Sequence, residues 1–360
     1  MQCVVEPGVN VHYLNSQVLI PKYGLFLGVD PAPAACIGGM VGTCCSGPSA
    51  FQYGTMLNQV INLTLVLWDG TVIKTGQRAV KSVAGYNLNG LFVGSEGTLG
   101  IVTEITLRLR AVPKWTEIAQ AYFDDMVSVA KCQNDILQSG IQLAAFEFLD
   151  NVMVTACQDY NPKGIQSLIR NKHLMIFKFA GPSKKHIHAD IECIQEIVKK
   201  YSKYPFIFST DEQERKRLWN TRKAAFWAAK AINNSKDVII TDVAVPYSNL
   251  GDILVKVKKE LDASPLVGPI IAHIGDGNFH SCLLYDNKNV LEIAEAKRLC
   301  NFIVDLALQL EGTCTAEHGV GLRKKEYLFK EFGNHTVQFM SNLKHFIDPI
   351  GIFNPGKIVD

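Results

Sequence analysis

At 360 residues the chain is too long for one simple core and reads as two domains of roughly 150 residues each. Its composition, 48% apolar and 19% charged, is that of an ordinary globular protein, and a formal net charge of +2 gives no electrostatic case for nucleic acid. No apolar run approaches the ~18 residues that would span a bilayer, and ten scattered cysteines without a Cys-x-x-Cys pair fit a reducing compartment rather than a disulfide framework.

Gln2–Val5 reads as a strand ended by Pro7-Gly8, with no leader, presequence or signal peptide before it. A chain that opens in mid-strand is expected to lack an earlier part of its domain. A polar amphipathic helix is predicted over 10–22. Residues 31–47 are small and nearly uncharged, with glycines at 38, 39, 42 and 47. Such a stretch costs conformational entropy and buries little, so it needs a reason. Backbone approach to a flat or phosphorylated ligand is one; tight packing of chain on chain is the other. The vicinal Cys44-Cys45 pair reads as small packing.

Apolar alternation on both sides of Asp69-Gly70 predicts a hairpin over 60–75. Gly94-Ser-Glu96-Gly97-Thr98-Leu-Gly100 is a glycine-spaced loop leading into a strand over 101–109. It has neither the Gly-x-Gly-x-x-Gly of a dinucleotide fold nor the Lys-Ser/Thr of a P-loop. A Gly-x-Ser-x-Gly hydrolase elbow is absent too.

Composition shifts near Pro113. From there to about 265, strands alternate with longer helices in a separate α+β unit, with helices predicted over 124–137 and 186–201 and strands over 174–179 and 238–245. Around 215–229 several bases share a helix with an apolar opposite side. They form either a solvated basic face or a guanidinium that grips a substrate carboxylate.

His273-Ile-Gly-Asp-Gly-Asn-Phe-His280 is a tight reversal between the apolar runs 269–272 and 282–285, so both histidines fall at one end of a hairpin. Ala316-Glu317-His318-Gly319 follows after a long helix over 290–310. Glu317 would complete a His2Glu set with a position open to water or substrate, as in catalytic metal sites. Two histidines in one turn are also common as hydrogen-bonded residues, and the local pattern leaves both readings open. A last helix is predicted over 336–346, before a turn-rich tail.

Together these segments resemble the FAD-linked D-2-hydroxyacid dehydrogenases of the vanillyl-alcohol-oxidase-like flavoproteins, nearest to their mitochondrial-type D-lactate branch. The 37–47 segment, Tyr53-Gly-Thr, Ala84-Gly-Tyr-Asn87, the 94–100 loop, the His273–His280 hairpin, Glu317-His318-Gly and Asn354-Pro-Gly-Lys357 fall in the family's order over nearly the whole chain. The resemblance implies an α+β fold. Residues 1–112 would be the second half of a two-subdomain, PCMH-type FAD-binding domain. Residues 113–335 would be a cap domain with an antiparallel sheet and the metal site, and 336–360 a segment returning to the FAD domain.

The implied cofactors are FAD and a divalent metal, zinc ahead of manganese or iron. The implied partners are a 2-hydroxy acid and an electron acceptor such as cytochrome c or a quinone-linked carrier, in mitochondria. By resemblance Ile37, Gly38, Gly39, Cys45, Ser46, Gly47, Tyr53, Gly54, Glu96, Gly97, Gly100 and Ile101 would lie along the FAD, with Asn354 returning to it. His273, His280 and Glu317 would ligate the metal, His318 would be the base, and Arg222 would hold the substrate carboxylate. Phe226 and Ile240 stand where relatives acting on dicarboxylates carry a polar residue and a lysine, which implies a short substrate such as D-lactate. The family's Pro-x-Gly-x-Gly loop for the FAD pyrophosphate has no counterpart here. Two expectations therefore stand: a D-2-hydroxy-acid-oxidising flavoenzyme without the first half of its FAD domain, or a non-catalytic fragment keeping cap domain and metal site. Residues 1–360 made alone are expected to be colourless and inactive.

Overall fold

Fourteen strands and their connecting helices are seen in the computed structural model, which describes residues 1–161, 169–209 and 211–359. They form two units, Met1–Val112 with Glu317–Asp360, and Pro113–Ala316. The sequence reading starts the returning segment at 336; the division falls between Ala316 and Glu317.

The first unit holds strands β1 (Gln2–Val5), β2 (Leu25–Phe26), β3 (Val60–Val66), β4 (Val72–Lys74), β5 (Ile101–Arg108) and β6 (Arg110–Ala111). β1, β5, β3 and β4 make an antiparallel sheet in that order, and β2 pairs with β6. Asp69-Gly70 closes the β3–β4 hairpin as predicted, with Gly70 at φ +83° and the Thr71 amide on Asp69 Oδ1 at 2.9 Å. Leu63, Leu65, Ile105 and Leu107 turn inward with Ile37 and Met40 to form the core. Each such burial stabilises by about 1.5–3 kcal/mol.

The helix predicted over 10–22 starts at the Asn10 cap and ends at Gly24, but Leu14–Leu19 is wound as a π-helix, with the Ile20 amide reaching Asn15. Pro21, which has no N–H to give an α-turn, directly follows. Helix Lys325–Ile347 starts earlier than the predicted 336–346 because two helical pieces join across Gly333, at φ 74°.

In the second unit, β7 (Trp115–Phe123), β8 (Ala145–Leu149), β9 (His173–Gly181), β10 (Ile207–Ser209), β11 (Asp237–Ile240), β12 (Val243–Ala244), β13 (Ile270–His273) and β14 (Asn278–Tyr285) build one antiparallel sheet. Its order is β10-β7-β9-β8-β13-β14-β11, with β12 also on β14. Helices Met126–Gln138 and Lys184–Val198 start at side-chain caps from Asp125 and Ser183. Helix Glu212–Ala231 lays Leu218, Trp219, Ala225, Ala228 and Ala229 in one core with the strand residues Ala145, Leu149, Ile176 and Ile271. The strand predicted over 238–245 is interrupted at Thr241 and Asp242, whose polar groups turn to side-chain work described below. Among the described residues no helix is long and apolar enough to cross a membrane.

Candidate functional site

Strand β8 reads Ala145-Phe146-Glu147-Phe148-Leu149. A period of two sets Glu147 on the same face as Ala145 and Leu149, which belong to the core that helix Glu212–Ala231 closes. A carboxylate buried there, at 0% exposure, needs charged or hydrogen-bonding partners. Oε1 lies 2.7 Å from His273 Nδ1, and Oε2 takes Nε and Nη2 of Arg222. Arg222 is itself buried, while Lys216 and Lys223 of the same helix are exposed. The helix therefore has a solvated basic face, and Arg222 is not on it.

The two histidines come together as the hairpin predicts. The register sets His273 opposite Asn278 and Ile271 opposite His280, so the histidines are diagonal neighbours on one face. Their rings lie 5.7 Å apart at 88°, and both are buried. Gly277 is required in the turn: its φ is +86°, and a Cβ there would sit 2.3 Å from the Val245 carbonyl oxygen. His280 Nδ1 is 3.0 Å from the Thr241 carbonyl oxygen. Both imidazoles thus meet an oxygen acceptor at Nδ1, the anchoring that makes Nε2 the ligating nitrogen of a metal-bound histidine. The donor chemistry of this pair fits a divalent ion that takes imidazole.

Asp242 fixes the end of the unit. It is buried, and its carboxylate accepts from Thr315 Oγ1 at 2.7 Å, the Ala316 amide at 3.0 Å and Asn278 Nδ2 at 3.2 Å. The residue after Ala316 in the chain is Glu317.

In the first unit, Glu317 and His318 are neighbours with Oε1 and Nε2 3.7 Å apart, and the His318 side chain is 43% exposed. Glu96, at φ 51°, joins three segments. Its carboxylate accepts the Val320 amide at 2.6 Å and the Gly321 amide at 2.9 Å, its amide donates to the Gly42 carbonyl, and its own carbonyl accepts Asn354 Nδ2 at 2.6 Å. The Glu96 carboxylate thus holds the backbone just after His318.

Chain packing accounts for some of the glycines. Gly38 lies against Pro7, where a Cβ would come within 2.5 Å, and Gly54 likewise against Asn58 at 2.4 Å. Gly47, at φ +142°, lies on the Asp30 carbonyl. These serve chain packing. At Gly39 and Gly97 a Cβ would meet nothing within 4 Å, so the backbone there is open and leaves room for a flat ligand; Gly97, at φ +69°, also has a backbone that favours glycine. Tyr53 packs edge-on against Phe26, Gly100 lies on the Val66 carbonyl, Ile37 is in the core, and Ile101 is 57% exposed. Ser46 is buried. Burial, with Glu317 and Asp30 nearby, pushes the Cys45 thiol up to about 12, so it stays protonated.

Glu147, Thr241 and Asp242 belong to no motif and escape the sequence reading. A signal for Glu147 exists: a lone carboxylate on the inward row of an otherwise apolar strand must have a buried partner.

Residues 112–358 match the family described as FAD linked oxidases, C-terminal domain, and residues 1–76 an FAD binding domain. A mitochondrial D-lactate dehydrogenase [cytochrome] of Arabidopsis thaliana is 42% identical over 359 residues, covering 100% of this chain and 62% of the relative. A probable mitochondrial D-lactate dehydrogenase of Danio rerio is 39% identical, covering 99% of this chain and 71% of the relative. The solved 4-ethylphenol oxidase of Gulosibacter chungangensis superposes with a TM-score of 0.72 at 16% identity, over 99% of this chain and 76% of that one, which shows the shared fold.

Proposed function

The chain belongs to the FAD-linked oxidases, and from that premise we propose that with FAD it oxidises a short D-2-hydroxy acid, D-lactate above others, to the 2-oxo acid. The observation that carries this is a buried guanidinium and a buried imidazole joined by Glu147 in the second unit, with a second buried imidazole beside the first. It accords with the names of the D-lactate dehydrogenase relatives, which also support a mitochondrial site of action and a cytochrome as acceptor.

Arg222 takes the substrate carboxylate. Its Nε–Nη2 edge is on Glu147, and the edge formed by Nη1 and Nη2 offers a planar fork that lysine does not have. His273 and His280 would hold a divalent ion through Nε2, and by the resemblance Glu317 would be the third ligand. A bound ion supplies Lewis acidity toward the substrate hydroxyl. The imidazole of His318 accepts the hydroxyl proton. Bound flavin supplies the acceptor for the hydride that leaves C2. Phe226, one helical turn past Arg222, and Ile240 on β11 offer no charge for a second carboxylate, which favours the methyl group of lactate.

Steady-state dye reduction by the FAD-loaded protein tests the pocket. D-lactate should give a higher kcat/KM than D-2-hydroxyglutarate; the reverse order would contradict the assignment of Phe226 and Ile240.

A further inference from the structure

We propose that Glu147 is a positioning residue which serves two functional side chains at once. It holds the His273 proton on Nδ1 and fixes the Nε–Nη2 edge of Arg222, so one carboxylate sets both metal ligation and carboxylate binding. The inference rests on the roles given above to His273 and Arg222.

The position is an expensive one for a charge. Glu147 has 0% exposure on a strand face whose neighbours in the row are Ala145 and Leu149. A buried Arg–Glu pair kept for stability alone is replaceable by apolar residues at little or no cost. Glu147 differs in dividing its oxygens between a helix and a strand: Oε2 to Arg222, and Oε1, at 2.7 Å, to His273 Nδ1. The carboxylate oxygen has no proton to give, so the His273 bond requires N–H at Nδ1. That leaves the lone pair of the neutral ring on Nε2, the atom a metal needs. The same negative charge lies between the Arg222 cation and the His273 imidazole. Without it, the Arg222 cation would be left uncompensated beside the His273 ring that would hold an ion.

Glu147→Gln separates these functions without changing size. An amide has one acceptor and one donor group. With its oxygen on Arg222, its NH2 faces His273 Nδ1 and drives the ring proton to Nε2. With its oxygen on His273, its NH2 faces the N–H groups of Arg222. Either way one partner loses its orientation.

Zinc titration of the chain by calorimetry, with Zn²⁺ alone as probe, reads the first consequence. Glu147→Gln should raise the zinc Kd about 10–100-fold, the usual effect of removing an outer-shell partner, with the far-ultraviolet circular dichroism unchanged. Arg222→Gln, which removes a cation and keeps Glu147, should leave the Kd within about threefold or tighten it. A Glu147→Gln Kd within twofold of the parent overturns the proposal.

A second measurement does not depend on the variant folding. In the metal-free parent labelled with ¹⁵N-histidine at alkaline pH, the His273 signal, identified by its loss in His273→Gln, should show the Nδ1–H tautomer. The Nε2–H tautomer overturns the proposal. Failure of the underlying reading looks different. If the parent takes up no zinc, or His273→Gln takes it up unchanged, the ligand assignment falls, and the tautomer alone decides whether Glu147 orients the ring.

Discussion

Replacing Asp242 by alanine removes a buried carboxylate that ties the end of the second unit to its sheet. Three donors lose an acceptor: Thr315 Oγ1 at 2.7 Å, the Ala316 amide at 3.0 Å and Asn278 Nδ2 at 3.2 Å. The losses are unequal. Ala316 keeps the main-chain carbonyl of residue 242 at 3.1 Å, and Asn278 keeps the Val243 carbonyl at 2.9 Å. Of these three donors, the Thr315 hydroxyl loses a full charge-assisted bond, worth about 1.5–3 kcal/mol, and the two shared bonds add about 0.5–1 kcal/mol each. Local opening of 313–316 should therefore become easier by about 2.5–5 kcal/mol, limited by the stability that segment has to lose. Amide hydrogen exchange followed by mass spectrometry reads this directly. The peptide covering 313–316 should exchange at least tenfold faster, while helix Met126–Gln138 keeps its protection. Because Glu317 and His318 follow at once in the chain, kcat should fall in the same variant. Exchange in 313–316 within twofold of the parent would refute the reasoning.

Three further outcomes are expected. Arg222→Lys loses the planar fork and should raise KM for D-lactate at least tenfold with a smaller effect on kcat, read from steady-state kinetics. His280→Ala should abolish stoichiometric metal in elemental analysis of the folded chain. Burial, with Lys258 adding to it, pushes His173 down to about 4 from the ordinary 6.5. The unfolded chain therefore binds the extra proton first, and this contribution to stability is complete above pH 6.5 and lost as pH falls toward 4. Chemical denaturation should show about 2 kcal/mol lost from this group between pH 7 and pH 5, a slope that His173→Gln removes.

What the sequence discloses is whatever has a local cause. Asp69-Gly70 specifies its hairpin through positive φ at one glycine, and the strands around His273 and His280 show as apolar runs on either side of a turn. The diagonal pairing of the histidines follows from that turn alone. Partnerships between distant segments leave no such trace. Glu147 meets Arg222 75 positions away and His273 126 positions away, and nothing in Ala-Phe-Glu-Phe-Leu names either. Asp242 is hidden for a related reason. Its strand pattern runs through 238–245, and the break appears only once Asn278, Thr315 and Ala316 claim its carboxylate. The glycine-rich 37–47 segment stays ambiguous in sequence because glycine looks the same whether it allows close packing, as at Gly38, or lies on open backbone, as at Gly39.

The central claim is the oxidation of a D-2-hydroxy acid by bound flavin; residues 1–360 made alone and without FAD are expected to be colourless and inactive. Anaerobic addition of D-lactate to the FAD-loaded protein, followed in the visible flavin band, tests it most directly. D-lactate should bleach the band with one pyruvate formed per flavin, and L-lactate should leave it unchanged. A band that stays oxidised in D-lactate, or one that L-lactate bleaches in its place, would contradict the account.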